Sequence, residues 1–292
     1  MIKIYSCCNW TGSKSLIECW SKMLTQDNRV ILTEDKTEAD YYFIVNSPLS
    51  QDEPFFKTMD KKTKRERVIV FRMEPLMETR RDLWGDYWRS PPESDFLKVF
   101  YHDSELNNVE WHLNKTVSQL KETPIKKMRG DVISFIVSPK YFDPGHIKRV
   151  NFWRYLQKNS SIVNHVFGSN IHNLKNYVGS LPLREKEDGL IPYRYTFNAE
   201  NNSINGYATE KIWDAIMSET LIFYWGCPNI EEYIDERCFI RLGLDDFEKD
   251  LQIVVSAIEN NEWEKRLPYI KETKLRLLEK YNLTDRLLNV IQ

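Results

Sequence analysis

Tyr195-Thr196-Phe197-Asn198-Ala199-Glu200-Asn201-Asn202-Ser203-Ile204-Asn205-Gly206-Tyr207-Ala208-Thr209-Glu210-Lys211-Ile212-Trp213-Asp214-Ala215-Ile216, followed by Leu221-Ile222-Phe223-Tyr224-Trp225-Gly226, decides the fold class. A short apolar run over 193–197 ends in a polar, glycine-containing loop. An amphipathic stretch over 209–218 follows, and a second apolar run over 221–225 stops at Gly226. Strand, loop, helix and strand in that order make a βαβ unit, whose two strands run parallel.

The pattern recurs outward from this unit. Residues 2–5, 41–45, 68–71 and 99–101 are strand candidates in the first part of the chain, the second closed by Asn46-Ser47-Pro48 and the third by Glu74-Pro75. Residues 132–137, 165–167 and 239–242 are further strand candidates, and 146–158 and 246–260 are helices by their apolar spacing. Leu275, Leu278, Leu287 and Leu288 mark a C-terminal helical stripe. The alternation predicts an α/β architecture of largely parallel sheets. The polar stretch 119–131, with Pro124 and Lys126-Lys127, marks the boundary. It divides the chain into domains 1–125 and 126–292, with the final helix free to pack back on the N-terminal one. A chain of 292 residues fits two such domains.

Composition excludes several classes. Forty-one basic against 43 acidic residues give a net charge of −2, so no field draws the chain to nucleic acid or to an anionic membrane. The basic run 61–67 reads as a solvated helix end leading into a strand. Five cysteines, two adjacent and none in a Cys-x-x-Cys pair, indicate neither a disulfide framework nor a structural zinc, which suits a reducing compartment. No signal peptide or membrane-length apolar run is visible, so the chain is expected to be cytoplasmic, or else cut from a longer parent.

The chemistry concentrates beyond the strand at 193–197. In an open α/β sheet the ligand crevice lies past the carboxyl ends of the strands, where Glu200 and Asn201 fall. Thr209 is a candidate N-cap, so free backbone N–H groups of the next helix face the same crevice and favour an anion. Lys211, a cation in the first turn, opposes the helix dipole by roughly 0.3–1 kcal/mol. Its place implies a negative group nearby, for which a diphosphate qualifies; the alternative makes Glu210 and Lys211 ordinary surface residues. Arg149, early in the helix after a Pro/Gly-bounded loop, can grip phosphate bidentately, with Lys148 as a rival.

The string Glu200-Asn201…Tyr207-x-Thr209-Glu210-Lys211-Ile212-x-x-Ala215, with Tyr224-Trp225-Gly226 after it, resembles the signature of the α1,3-fucosyltransferases of glycosyltransferase family 10. Ser138-Pro139…Arg149 and Val166-Phe167-Gly168 resemble that family's donor domain. The resemblance implies a GT-B architecture: two Rossmann-like domains facing across a cleft, the C-terminal one binding GDP-fucose and the N-terminal one a glycan acceptor. Carried over by position, Lys211 and Arg149 neutralise the diphosphate. Glu210 accepts hydrogen bonds from ribose or fucose hydroxyls, and Tyr207 lines the nucleotide pocket. Glu200, Asn201 and Asn202 stand at the donor, with Asn201 or Asn202 holding a polar group of it.

Inverting transfer needs one general base for the acceptor hydroxyl and no covalent nucleophile. Glu74, just past the strand at 68–71, resembles the family's acceptor-side glutamate, and partial burial is expected to raise its pKa; Glu78 and Glu105 are fall-backs. Trp84, Tyr87 and Trp88 are acceptor-side candidates, or else a local hydrophobic cluster. No cofactor or metal is expected: Asp245-Asp246 reads as a helix cap, and the histidines lack metal spacing. Two competing readings remain, a GT-B transferase for another nucleotide sugar and an inactive glycan- or nucleotide-binding module.

Overall fold

The structure is a computed structural model and describes residues 1–75, 85–102, 109–169, 175–182 and 184–291. It divides into two compact units, Met1–Asn108 with Tyr281–Gln292, and Val109–Lys280.

In the first unit, β1 (Ile2–Cys8), α1 (Ser13–Ser21), β2 (Val30–Leu32), β3 (Tyr41–Val45), α2 (Glu53–Thr58), α3 (Lys61–Arg67), β4 (Val68–Arg72), α4 (Gly85–Arg89) and β5 (Lys98–Tyr101) follow in order. The strands form one parallel sheet in the order β2-β1-β3-β4-β5. β4 is buried along its whole length, which explains its unbroken apolar run 68–71. The basic run is α3, with no buried residue, capped by Asp60 accepting from the Thr63 amide. The core gathers Tyr5, Ile17, Ile44, Phe56, Val70 and Phe96.

The second unit holds α5 (Val117–Glu122), β6 (Arg129–Ile136), α6 (Pro144–Asn159), β7 (Asn164–Phe167), β8 (Tyr177–Gly179), α7 (Glu187–Leu190), β9 (Tyr193–Ala199), α8 (Glu210–Met217), β10 (Leu221–Trp225), β11 (Phe239–Arg241), α9 (Phe247–Glu259) and α10 (Glu262–Lys280). Its sheet runs β11-β10-β9-β6-β7-β8, all parallel. Counted within the unit this is the 3-2-1-4-5-6 order of dinucleotide-binding folds, and the first sheet has the related 2-1-3-4-5 order. Phe135, Phe152 and Phe197 pack ring to ring beneath it.

The units divide after Asn108, ahead of the polar stretch 119–131. Val109, Trp111 and Leu113 are buried, and the His112 amide donates to Asp214 of α8 (2.5 Å), which ties this segment to the second unit. At the other end α11 (Leu283–Ile291) counts with the first unit: Leu283 and Leu287 are buried, and Thr284 accepts from the Thr25 amide. In α10 the buried stripe runs through Ile270, Leu277 and Leu278, leaving Leu275 exposed. The strands β2 and β8 have no counterpart in the sequence reading. Each is three residues long at or near a sheet edge, too short for a periodic signal. Among the described residues, no helix is long and apolar enough to cross a membrane.

Candidate functional site: a charged turn at the switch point of the second sheet

β6 and β9 are neighbours, and from them the chain winds toward opposite edges of the sheet. The crevice beyond their carboxyl ends is where such folds bind ligands. Glu200 enters it directly after β9, its amide donating to the Trp225 carbonyl (2.8 Å). Two glycines make room. A Cβ on Gly145 would stand 1.7 Å from the Glu200 carbonyl oxygen, and one on Gly226 would stand 2.4 Å from Glu200 Cγ. Neither position admits a side chain while Glu200 keeps its seat.

The Glu200 carboxylate is fully buried. It accepts from the Thr209 amide (2.8 Å), the Thr209 hydroxyl (2.6 Å) and the Tyr224 hydroxyl (3.3 Å), and pairs with Lys211 Nζ at 3.2 Å. Lys211 also donates to Thr209 Oγ1 (2.8 Å). Glu200, expected at the donor, is fully buried and holds the turn together through these protein groups. Thr209 stands at the N-cap of α8, but its hydroxyl serves Glu200 and makes no capping bond. The negative group that the placement of Lys211 called for is supplied, at least in part, by the chain itself.

A second layer of charge lies behind. Lys186 Nζ bridges Glu210 (3.3 Å) and the buried Asp214 (2.8 Å), while Glu210 also lies 3.5 Å from Lys211. Burial works to raise the Glu210 carboxyl, but the Lys211 and Lys186 ammoniums outweigh it and hold the group well below the ordinary glutamate value. Burial likewise raises Asp214, and there it prevails over Lys186. Lys186 sits in a polar connection without periodicity, and Asp214 falls on the otherwise apolar face of α8. Sequence reading missed both.

Arg149 sits in the second turn of α6, early in the helix as expected. Its guanidinium is buried, and Nη1 donates to the Ala199 carbonyl (3.2 Å) at the end of β9. Nε has no partner, and among the described residues no carboxylate lies within ion-pairing distance. Burial lowers its pKa against the pull of the more distant Glu200 and Glu210 charges. Lys148, the rival, is committed elsewhere: it donates to the Leu244 carbonyl (2.8 Å), pairs with Asp245 and lies over the Trp225 ring. Asp246 caps α9 by accepting from the Lys249 amide.

Asn201 and Asn202 are half-buried on the loop, and the Asn201 carbonyl accepts from the Gly145 amide (3.0 Å). Tyr207, expected at the nucleotide, is fully buried, its amide bonded to the Ile204 carbonyl (3.1 Å); it closes the loop from within.

In the first unit, Glu74 is half-buried just past β4, and its amide donates to Asn46 Oδ1 (3.1 Å). Arg72 nearby is fully buried. Burial draws its pKa down to about 10 against the opposing charges of Tyr101 and Glu74. Trp88 is buried among the core residues, packed on Tyr87 and Phe96 at ring distances of 5.1 and 5.9 Å, so the local-cluster reading describes it. Tyr87 stays exposed at 39%. Trp84, Glu78 and Glu105 lie outside the described residues.

The two sheets, their strand orders and the switch-point site place the chain in the GT-B class of glycosyltransferase folds. A crystal structure of an α1,3-fucosyltransferase with GDP superimposes with a TM-score of 0.57 at 15% identity, covering 99% of this chain and 90% of the other. A second α1,3-fucosyltransferase crystal structure gives 0.53 at 18% identity, over 91% and 80%. In sequence the chain is 31% identical over 75 residues to the α-(1,3)-fucosyltransferase FucT of Helicobacter pylori, a stretch covering 26% of this chain and 15% of that protein. No protein-family model matches. The family reading is borne out: the chain is related in sequence to the α1,3-fucosyltransferases and has their fold.

Proposed function

We propose that the chain is an inverting glycosyltransferase that moves L-fucose from GDP-fucose to a hydroxyl of a glycan acceptor, forming an α1,3 linkage to a GlcNAc or Glc residue. One observation carries the donor half: Arg149, a buried cation with no carboxylate partner, at the switch point of a nucleotide-binding sheet. A buried charge is costly unless paired, and a diphosphate supplies the missing partner.

Arg149 and Lys211 counter the charge that develops on the leaving GDP, so the scheme runs without a divalent cation. Glu210, kept ionised by two ammoniums, accepts from ribose or fucose hydroxyls, and Asn201 or Asn202 holds a polar group of the donor. Glu74 acts as the base that takes the acceptor proton as the acceptor oxygen attacks the anomeric carbon and the bond to GDP breaks. Its half-buried place at a strand end supports that role. With its five cysteines buried as thiols, outside any disulfide, we place the protein in the cytoplasm.

Incubation with labelled GDP-fucose on a glycan array tests this. Transfer that persists in EDTA and is lost in Glu74→Ala, with GDP binding retained in that variant, is the expected result. Tight binding of a UDP-sugar with none of GDP-fucose would overturn the donor assignment. Binding of GDP without transfer to any acceptor would leave a binding module.

A further inference from the structure

We propose that Arg184 is a second phosphate-gripping residue of the donor subsite, an inference that rests on the diphosphate reading above. Arg184 is 5% exposed, and none of its three guanidinium nitrogens has a hydrogen-bond partner. Among the described residues, no carboxylate pairs with it. An internal water could accept one N–H, but a water does not neutralise a charge, and a buried guanidinium needs an anion. Its backbone is left-handed, with φ at 60°, a conformation uncommon for a residue with a long side chain and concentrated at ligand sites. The turn is fixed on either side: Glu185 donates to the Pro182 carbonyl (3.2 Å) and the Lys186 amide to the His112 carbonyl (2.9 Å).

Two residues on, at most about 7 Å along the backbone, Lys186 reaches Glu210 and Asp214. Charge balance there gives Arg184 its purpose. Lys186 and Lys211 face Glu200, Glu210 and Asp214, two ammoniums against three carboxylates, so that turn alone repels a diphosphate. Arg149 brings the site to neutrality, and Arg184 makes it positive. Five N–H donors in a planar fork suit the phosphate oxygens that Arg149 and Lys211 leave open.

Calorimetric titration of GDP and of inorganic pyrophosphate into wild type, Arg184→Met and Arg184→Lys, with melting curves of each ligand-free protein, tests the proposal. Arg184→Met is expected to weaken both ligands at least tenfold while raising the ligand-free Tm, because an unpaired buried charge is gone. A merely structural arginine predicts the opposite: a lower Tm and unchanged affinity, and that result overturns the proposal. If Arg184→Met does not fold, Arg184→Lys decides, since losing the fork should weaken GDP severalfold; affinity equal to wild type refutes it. Wild type that binds pyrophosphate through Arg184 but not GDP keeps the anion site and removes the nucleotide reading. Wild type that binds neither removes both.

Discussion

Both sheets carry a buried charge beside the switch point, and the two charges are treated in opposite ways. In the first unit, β1, the start of α1 and the loop after β3 bring together Tyr5, Ser13 and Asp52. The Asp52 carboxylate accepts from the Tyr5 hydroxyl (2.7 Å) and Ser13 hydroxyl (2.6 Å) and pairs with Lys36 at 2.5 Å. In the second unit, Arg149 is left with one backbone carbonyl. A buried group answered by its own chain builds structure. One left unanswered costs stability until something arrives, which is how a scaffold reserves a place for a ligand.

The contrast can be broken or sharpened by substitution. Lys211→Met should have the largest effect, because Glu200 would keep its hydrogen bonds but lose its counter-charge. Breaking a buried pair costs about 3–5 kcal/mol, visible as a large drop in Tm together with weakened GDP binding. Arg149→Met should leave Tm unchanged or higher and cut GDP affinity by about 10–100-fold, the worth of about 1.5–3 kcal/mol in a charged hydrogen bond; calorimetry reads both. A lower Tm with intact affinity would erase the distinction between the two units.

Asp52→Asn should do the reverse, lowering stability by about 1–3 kcal/mol and leaving GDP affinity alone. The pH dependence follows from its sign. Burial tends to raise the Asp52 carboxyl, but Lys36, Ser13 and Tyr5 outweigh it and depress the native value. Its contribution is therefore complete above the ordinary aspartate value of 3.8 and is lost as pH falls through the depressed native value. Tm measured from pH 5 down to pH 2 should fall more steeply in wild type than in Asp52→Asn. Smallest of all, Lys148→Ala should shift stability by less than about 1 kcal/mol, since its partner Asp245 is exposed, and change GDP affinity less than twofold.

Much of this was legible in the residues. Apolar runs closed by Asn-Ser-Pro, Glu-Pro or Gly marked the central strands, because parallel strands are buried on both faces. Of the edge strands, β5 and β11 were read at 99–101 and 239–242, whereas β2 and β8 escaped. The stretch 195–226 located the site, but its chemistry was only half readable. Sequence shows that Glu200, Glu210 and Lys211 come together; it does not show which carboxylate takes the lysine. Gly145 and Gly226 read only as a turn residue and a strand end, and it is the packing that shows Glu200 lying against both. Arg184, Lys186 and Asp214 escaped because a side chain's partners depend on tertiary packing, and neither a polar connection nor a helix face records them.

A crystal structure with GDP bound tests the central claim most directly. Diphosphate oxygens within about 3.2 Å of the Arg149 guanidinium, beside the opening turn of α8, are the predicted result. GDP held elsewhere, with Arg149 still bonded to the Ala199 carbonyl and no phosphate in reach, would contradict it.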